Sequence, residues 1–321
     1  MKVAIVTGCN GQDGSYLAKL LLQKDYKVVG MVRRSSTVNT SNIKHILKDI
    51  ELVYGDLSDS GSISNIVGKY KPDEFYNLAA QSFVPTSWIE PEYTADINAI
   101  GPLRCLETLK RIKPDTRFYQ AATSEMFGKV VETPQNEKTA FYPRSPYGVS
   151  KCFGFWITKN YRESFNMFAA SGILMNHESP RRHIEFVTRK ISNAVARIKY
   201  GLDKDIHLGN IESKRDWGFS GDYVKAMWMI LQQELPDDFV IGSEETHTIR
   251  EFCEIAFSYV GLNYKDYIVI DPKFYRPAET DTLLSDCTKA HKILGWYPET
   301  TFKQLVEMMV ENDLRIVKDE L

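Results

Sequence analysis

Val3-Ala4-Ile5-Val6-Thr7-Gly8-Cys9-Asn10-Gly11-Gln12-Asp13-Gly14 runs from a short apolar stretch straight into three glycines, and Ser15 to Lys24 then sets Leu17, Leu20 and Leu21 on one face of a helix. Apolar run, glycines and amphipathic helix in this order form the first βα turn of a parallel sheet. The glycines permit a tight turn and let backbone N–H groups and the helix N-terminus approach a pyrophosphate. Their spacing is G-x-x-G-x-x-G rather than G-x-G-x-x-G. Glycines alone are weak grounds, since turns that bind nothing also use them. Their position between a strand and a helix is what points to a dinucleotide.

Outward from this turn the alternation continues. Short apolar runs at Lys27 to Val32, Leu52 to Tyr54, Glu74 to Asn77, Arg117 to Ala121 and Phe168 to Leu174 are separated by longer amphipathic stretches, the pattern of βαβ units. The predicted class is α/β, with a Rossmann-like doubly wound parallel sheet. Pro146 to Phe165 reads as a long aromatic-rich helix that starts at its proline. Beyond about Ile173 the alternation becomes irregular, with helices near Ile249 to Val260 and Phe302 to Leu314, which predicts a smaller interleaved C-terminal α/β substrate lobe. The expected division is 1–172 for dinucleotide binding, with a returning segment near 213–243, and 173–321 mainly for the substrate.

The end of the second strand speaks to the cofactor. A site that prefers NAD usually carries an acidic residue there to hold the ribose 2′-hydroxyl, whereas this chain reads Met31-Val32-Arg33-Arg34-Ser35-Ser36. Guanidinium groups suit a 2′-phosphate, so NADP is expected. Asp56, after the third strand, caps a turn beside the adenine or is simply a turn residue. Ala79 and Ala80, after the fourth, are small enough to let the backbone lie against a ribose and nicotinamide.

Thr123, Ser124 and Glu125 come just past the fifth strand, on the edge where open α/β sheets bind ligands. Tyr147 and Lys151 lie four apart on the long helix and so project from one face. A tyrosine with its ordinary pKa of about 10 is a poor base at neutral pH, and a nearby ammonium favours the phenolate, so Lys151 is expected to activate Tyr147. A tyrosine and a lysine suffice to oxidise an alcohol. The Glu125 carboxylate adds a means of expelling water, which points to a dehydratase. A reductase on the same fold would have no need of Glu125, and a non-catalytic cofactor sensor would need none of the four side chains Thr123, Glu125, Tyr147 and Lys151.

Composition bounds the rest. A chain of 321 residues, 43% of them hydrophobic, can bury a sizeable core. Lys+Arg 40 against Asp+Glu 42 leaves a net charge of -2, which gives no electrostatic reason to expect nucleic acid or an anionic membrane as partner. Cys9, Cys105, Cys152, Cys253 and Cys287 are scattered without a C-x-x-C pair and read as reduced core thiols. His45, His183, His207, His247 and His291 show no metal-like grouping, so no metal is expected. No apolar run approaches the roughly 18 residues of a membrane span, and the cytoplasm is the expected location.

Longer motifs carry a resemblance that runs nearly end to end. Thr7-Gly8-Cys9-Asn10-Gly11-Gln12-Asp13-Gly14-Ser15-Tyr16-Leu17, Arg33-Arg34-Ser35-Ser36, Tyr54-Gly55-Asp56-Leu57 and Gln120-Ala121-Ala122-Thr123-Ser124-Glu125 belong to it. So do Phe141-Tyr142-Pro143-Arg144-Ser145-Pro146-Tyr147, Asn176-His177-Glu178-Ser179-Pro180-Arg181-Arg182, Phe186-Val187-Thr188-Arg189-Lys190, Lys214-Arg215-Asp216-Trp217-Gly218 and Tyr275-Arg276-Pro277-Ala278-Glu279. By these stretches the chain resembles the GDP-mannose 4,6-dehydratase family of the extended short-chain dehydrogenase/reductases. The resemblance implies a reaction without net redox change, in which NADP is reduced and reoxidised within one turnover. Tyr147, positioned with Thr123 and assisted by Lys151, would take the 4-hydroxyl proton, and Glu125 would remove the C5 proton and assist loss of the C6 hydroxyl.

The resemblance further implies cofactor contacts from Gly8, Asn10, Gly11, Gln12, Asp13, Gly14, Arg33, Arg34, Ser35, Asp56, Leu57, Leu78, Ala79, Ala80, Gln81, Ser82, Tyr93, Lys151, His177 and Arg182. It places Ser82, Ser124, Glu125, Asn176, Val187, Lys190, Arg215, Arg276 and Glu279 against a GDP-linked sugar. Arg215 and Arg276 also make sense as multidentate donors to a diphosphate, while His177 reads equally as a satisfied buried histidine. The Arg33 to Thr40 segment resembles a loop that reaches a neighbouring subunit's cofactor in tetrameric members, which implies a homotetramer, or a dimer. Two departures bear on the sugar: His183, followed by Ile184-Glu185, stands where many members have glycine, and the stretch between Gly261 and Pro272 is shorter. GDP-mannose and a GDP-linked manno-heptose both stay open as substrate, with a GDP-4-keto-6-deoxy-sugar reductase or epimerase as the alternative activity.

Overall fold

A computed structural model describes residues 1–274 and 282–321. Its seven-stranded sheet is built from β1 (Val3–Thr7), β2 (Lys27–Val32), β3 (Glu51–Tyr54), β4 (Glu74–Asn77), β5 (Arg117–Thr123), β6 (Ala169–Leu174) and β7 (Phe239–Ile241). The spatial order is β7-β6-β5-β4-β1-β2-β3, with every neighbouring pair parallel. The order reverses between β1 and β4, and at such a switch point a crevice opens beyond the carboxyl ends of the strands.

The helices around it are α1 (Gln12–Gln23), α2 (Ser60–Tyr70), α3 (Gly101–Ile112), α4 (Pro146–Phe165), α5 (Val187–Lys199), α6 (Ser220–Gln232), α7 (Ile249–Tyr259) and α8 (Phe302–Asp319). Alternate strand residues face opposite sides, and both sides are covered. Ala4, Val6, Tyr76 and Tyr119 pack with Leu17 and Leu21 of α1 and Met227 and Ile230 of α6. Ile5, Val29, Phe75 and Phe118 pack with Val67 of α2, Leu106 of α3 and Tyr161 of α4. Burial on two faces is why these strands read as continuous apolar runs rather than as alternating ones. A third core joins α5, α7 and α8, where Trp217 stacks on Phe302 with ring centroids 5.8 Å apart.

The doubly wound parallel sheet expected from sequence is present, with shifted ends. β5 continues to Thr123 rather than ending at Ala121, because Ala122 and Thr123 keep pairing with Ile173 and Leu174 of β6. Helix α1 begins at Gln12, ahead of Ser15, and α8 runs on past Leu314 to Asp319. The strand β7 was not anticipated; it pairs with β6 after a long excursion. That excursion contains short ribbons: Asn176–Glu178 beside Trp217–Phe219, Lys214–Arg215 beside His247–Thr248, and Ile206–Leu208 beside Ile268–Ile270. Among the described residues no helix is long and apolar enough to cross a membrane.

Candidate active site

The glycine turn brings backbone N–H groups and the start of α1 to the place expected to hold an anion. Gly11 caps α1 without any side-chain hydrogen bond, so the first N–H groups of the helix remain for a ligand. A Cβ on Gly14 would lie 2.2 Å from the Gly8 carbonyl oxygen and 2.7 Å from Cys9 Cα, closer than any side chain allows. The turn therefore keeps this close approach to α1 only while position 14 stays bare. Gly14→Ala is expected to raise the dissociation constant for a nicotinamide dinucleotide at least about tenfold, or about 1.4 kcal/mol, by equilibrium dialysis; unchanged binding would show that the turn is not the cofactor cradle.

Around the turn several assigned residues meet. The Leu78 and Ala79 N–H groups both donate to Thr7 Oγ1 at 3.0 Å. Asn98 holds Gln81 from both sides, accepting from its N–H at 2.9 Å and donating to its carbonyl at 2.8 Å. Arg33 Nη1 donates to the Tyr93 hydroxyl, and Asn10 Nδ2 donates to the Asn39 carbonyl at 2.9 Å, joining the glycine turn to the arginine loop. Arg34 and Ser35 are exposed, and Ser35 spends its hydroxyl on Thr37 O. The Asp56 carboxylate accepts from the Ser58 N–H and hydroxyl at 2.9 and 2.8 Å, the turn role foreseen for it, while Leu57 is buried against Gly101 of α3.

Gln12, Asp13 and His177 bind one another. His177 Nε2 lies 2.8 Å from Asp13 Oδ2 and its Nδ1 2.7 Å from the Met175 carbonyl, so both ring nitrogens are engaged. Ser220 donates to Asp13 Oδ1 at 2.7 Å, and Gln12 Nε2 donates to the His177 carbonyl at 2.9 Å. Burial works against the Asp13 charge, but the His177 ring, the Ser220 hydroxyl and Arg182 outweigh it and hold the carboxyl down to about 2. Burial likewise opposes the imidazolium, yet Asp13 and the Met175 carbonyl raise it above its ordinary 6.5. The Asp13 contribution to stability is thus present above its unfolded value of 3.8 and lost as pH falls toward 2. The His177 contribution is present below 6.5 and lost as pH rises through its raised value. Asp13→Asn is expected to flatten both limbs of the thermal midpoint plotted against pH; a profile parallel to that of the parent protein would show that the pair contributes nothing.

The catalytic candidates converge where β5 meets α4. Thr123 ends β5 and caps a short 3-10 turn, its Oγ1 accepting from the Glu125 N–H at 3.3 Å. Ser145 caps α4 by accepting from the Gly148 N–H at 3.0 Å, and Pro146 occupies the first turn. Gly148 matters for approach: a Cβ there would stand 2.8 Å from the Glu125 carbonyl oxygen, so only glycine lets α4 come this close to the turn. Ser124, Glu125, Tyr147 and Lys151 are all buried. Lys151 Nζ donates to the Ala121 carbonyl at 2.9 Å and stands 5.9 Å from the centroid of the Tyr147 ring.

The electrostatics differ from the sequence expectation. Burial pushes Tyr147 up to about 12; Thr123 and the more distant Arg182 act downward, while Glu125 and Asp13 add to the rise. Burial also brings Lys151 down to about 8 against the pull of Asp13. Desolvation is the largest influence on the phenol, and the Lys151 ammonium is directed to the Ala121 carbonyl.

Of the residues expected to face a substrate, Asn176 leaves its buried Oδ1 without a hydrogen-bond partner among the described residues. Arg182 pairs with Glu178 at 3.0 Å and lies 3.4 Å over the Phe186 ring, and Glu178 also accepts from Thr188 at 2.6 Å. Val187 opens α5. Lys190 donates to the His207 carbonyl at 2.6 Å and sits 3.9 Å over Phe274. Arg215 is buried in its ribbon opposite His247. Arg276 and Glu279 lie outside the described residues.

Supporting residues escaped the sequence reading. Arg189 of α5 grips Asp313 of α8 through two 2.8 Å contacts and donates to the carbonyls of Pro180 and Arg182, so the C-terminal helix fixes the loop that carries Arg182. Asp216, fully buried, accepts from Ser243 N and Oγ, Glu244 N, and Ser285 N and Oγ, knotting three distant segments beside Arg215. Both lie inside motifs already singled out. Only their partners, more than a hundred residues away in the case of Asp313, were out of reach.

The fold, the glycine turn, the buried Glu125, Tyr147 and Lys151, and the half-buried Thr123 define an extended short-chain dehydrogenase/reductase. Solved structures with the same fold include a UDP-glucose 4-epimerase with UDP-glucose from Thermotoga maritima, with a TM-score of 0.88 at 22% identity, covering 98% of this chain and 99% of that one. Another is a dTDP-glucose 4,6-dehydratase from Bacillus anthracis in complex with NAD, with a TM-score of 0.86 at 23% identity, covering 99% and 98%. The family described as GDP-mannose 4,6 dehydratase matches residues 5–309, and this chain belongs to it. Relatives named GDP-mannose 4,6 dehydratase are 52% identical in Arabidopsis thaliana, over 99% of this chain and 91% of the relative, and 47% identical in Homo sapiens, over 98% and 92%. A GDP-mannose 4,6-dehydratase of Yersinia enterocolitica is 49% identical, over 99% and 95%.

Proposed function

We propose that this chain, a GDP-sugar 4,6-dehydratase and hence a hydro-lyase with a nicotinamide cofactor, performs its chemistry through Tyr147, Lys151, Thr123 and Glu125. The cofactor is NADP. The observation that carries the reading is a buried carboxylate, Glu125, one short turn from a buried Tyr147 and Lys151 at the end of β5. When bound, NADP supplies the hydride acceptor for C4 of the sugar and the hydride donor for C6. Tyr147 takes the 4-hydroxyl proton, with Thr123 holding the phenolic oxygen. The 4-ketone then acidifies C5, whose proton passes to Glu125 and on to the departing C6 hydroxyl as water. The proton held on Tyr147 returns to C5, which restores both side chains. Gly8, Gly11 and Gly14 cradle the pyrophosphate, and Arg33, Arg34 and Ser35 take the 2′-phosphate.

The substrate is GDP-mannose or a GDP-linked manno-heptose, bound mainly by 173–321, with 1–172 and the returning segment near 213–243 serving the cofactor. Support for a sugar pocket bounded by His183 comes from its place between Arg182 and Phe186, since Phe186 meets Phe83, next to Ser82, edge-on at 5.3 Å. His183 and Glu185 are exposed and 3.2 Å apart, available to polar groups of the sugar. The assembly is a homotetramer through the exposed Arg33 to Thr40 loop, or a dimer; Val149, Phe153 and Trp156 also form an exposed apolar stripe on α4. The place of action is the cytoplasm, which suits free cysteines. Incubation with each GDP-sugar, followed by mass, is expected to show loss of one water with no net consumption of reductant. Unchanged mass with both sugars, in protein shown to hold NADP, would overturn the reading.

A further inference from the structure

Four neighbouring strands place polar residues side by side in the core. Thr7, Asn77, Gln120 and Ser171 are in register across β1, β4, β5 and β6, and all are buried. In a parallel sheet covered on both faces such a row is costly unless its members satisfy one another. Three of them do. Thr7 Oγ1 donates to Asn77 Oδ1 at 2.9 Å, and Asn77 Nδ2 donates to Gln120 Oε1 at 2.8 Å. Gln120 Nε2 then donates to the Ala121 carbonyl at 3.1 Å, the same oxygen that receives the Lys151 ammonium at 2.9 Å. At its other end Thr7 Oγ1 accepts the Leu78 and Ala79 N–H groups. The chain of hydrogen bonds thus joins the wall of the cofactor cradle to Lys151.

We propose that Gln120 is a positioning residue for Lys151, fixing through the Ala121 carbonyl the place and direction of the ammonium. The proposal rests on the role given to Lys151 above. Both acceptor positions of the Ala121 oxygen are then filled, one by an uncharged amide that cannot leave and one by the ammonium. With Gln120 in place the carbonyl has one orientation. Without it, the lysine is tied to a peptide free to tilt, and Asn77 Nδ2 loses its acceptor. Gly154 of α4 faces the same amide: a Cβ there would stand 3.7 Å from Gln120 Nε2, in ordinary van der Waals contact. Of the charged groups, Asp13 acts on Lys151, and Glu125, Arg182 and Asp13 act on the neighbouring Tyr147.

The test uses the full-length protein loaded with NADP and three substitutions. Gln120→Leu is expected to lower kcat for water loss about tenfold or more while KM for the GDP-sugar changes less than about threefold, because misplacing one catalytic group costs rate rather than binding. Gln120→Glu separates positioning from simple damage. While protonated, the introduced carboxyl accepts from Asn77 and donates to Ala121 O as the amide does; once ionised it has no proton to donate. Its kcat relative to the parent protein should therefore fall as pH rises, at constant folded fraction by circular dichroism. A Gln120→Leu protein with kcat within about twofold of the parent, or a Gln120→Glu protein whose pH profile parallels the parent, would overturn the proposal. Lys151→Met serves as the control: full activity there would defeat the role of Lys151 itself, whereas an inactive Lys151→Met beside an intact Gln120→Leu defeats only the role of Gln120.

Discussion

Glu125→Gln will halt the reaction midway. Glutamine keeps the size of a side chain that is buried between the end of β5 and α4, yet it cannot take a proton from C5. Positioned acid–base groups contribute about 10²- to 10⁴-fold, so kcat for water loss is expected to fall by about 10³. Oxidation at C4 does not need this carboxylate. Reduced nicotinamide and the 4-keto sugar should then accumulate together, up to one equivalent per site, visible in the near-ultraviolet spectrum after rapid mixing. Water loss within about tenfold of the parent rate would remove Glu125 from the role of base.

Tyr147→Phe should fail one step earlier. The ring still fills its buried place beside Lys151, but the group proposed to accept the 4-hydroxyl proton is gone. Both half-reactions are expected to slow by about 10³ or more, with no accumulation of reduced nicotinamide. Because burial holds the Tyr147 phenol up to about 12, the parent rate should climb with pH as the phenolate fraction grows, and that slope should vanish in Tyr147→Phe. A rate within about tenfold of the parent, or an unchanged slope, would assign the proton transfer to another group.

Much of the framework was legible in the sequence because its strands are buried on both faces. Val3–Thr7 and Lys27–Val32 appear as apolar runs for that reason, and the glycines beside the first of them mark the tight turn into α1. β7 was missed because three residues, Phe239–Ile241, give no period and become a strand only by pairing with β6. The end of β5 was misplaced for a related reason, since Thr123 looks like the start of a turn and is one, while still pairing with Leu174. Spacing on a helix showed that Tyr147 and Lys151 share a face, but it carried no measure of burial. The phenol was therefore expected to be lowered by its lysine, whereas burial acts on it in the opposite direction. His177 illustrates a further limit: its partner Asp13 is 164 residues away, and no local pattern announces such a pair.

The grip of Arg189 on Asp313 has a consequence for how the protein comes into being. The loop that carries Arg182 is fastened through Arg189 to a carboxylate on α8, and translation delivers that carboxylate more than a hundred residues after the loop. Arg182 has local partners in Glu178 and Phe186, but the arginine that grips its carbonyl gains a buried carboxylate partner only once α8 has been made. Synthesis itself thus imposes an order: the glycine turn is made early, and the anchor of the Arg182 loop more than a hundred residues later.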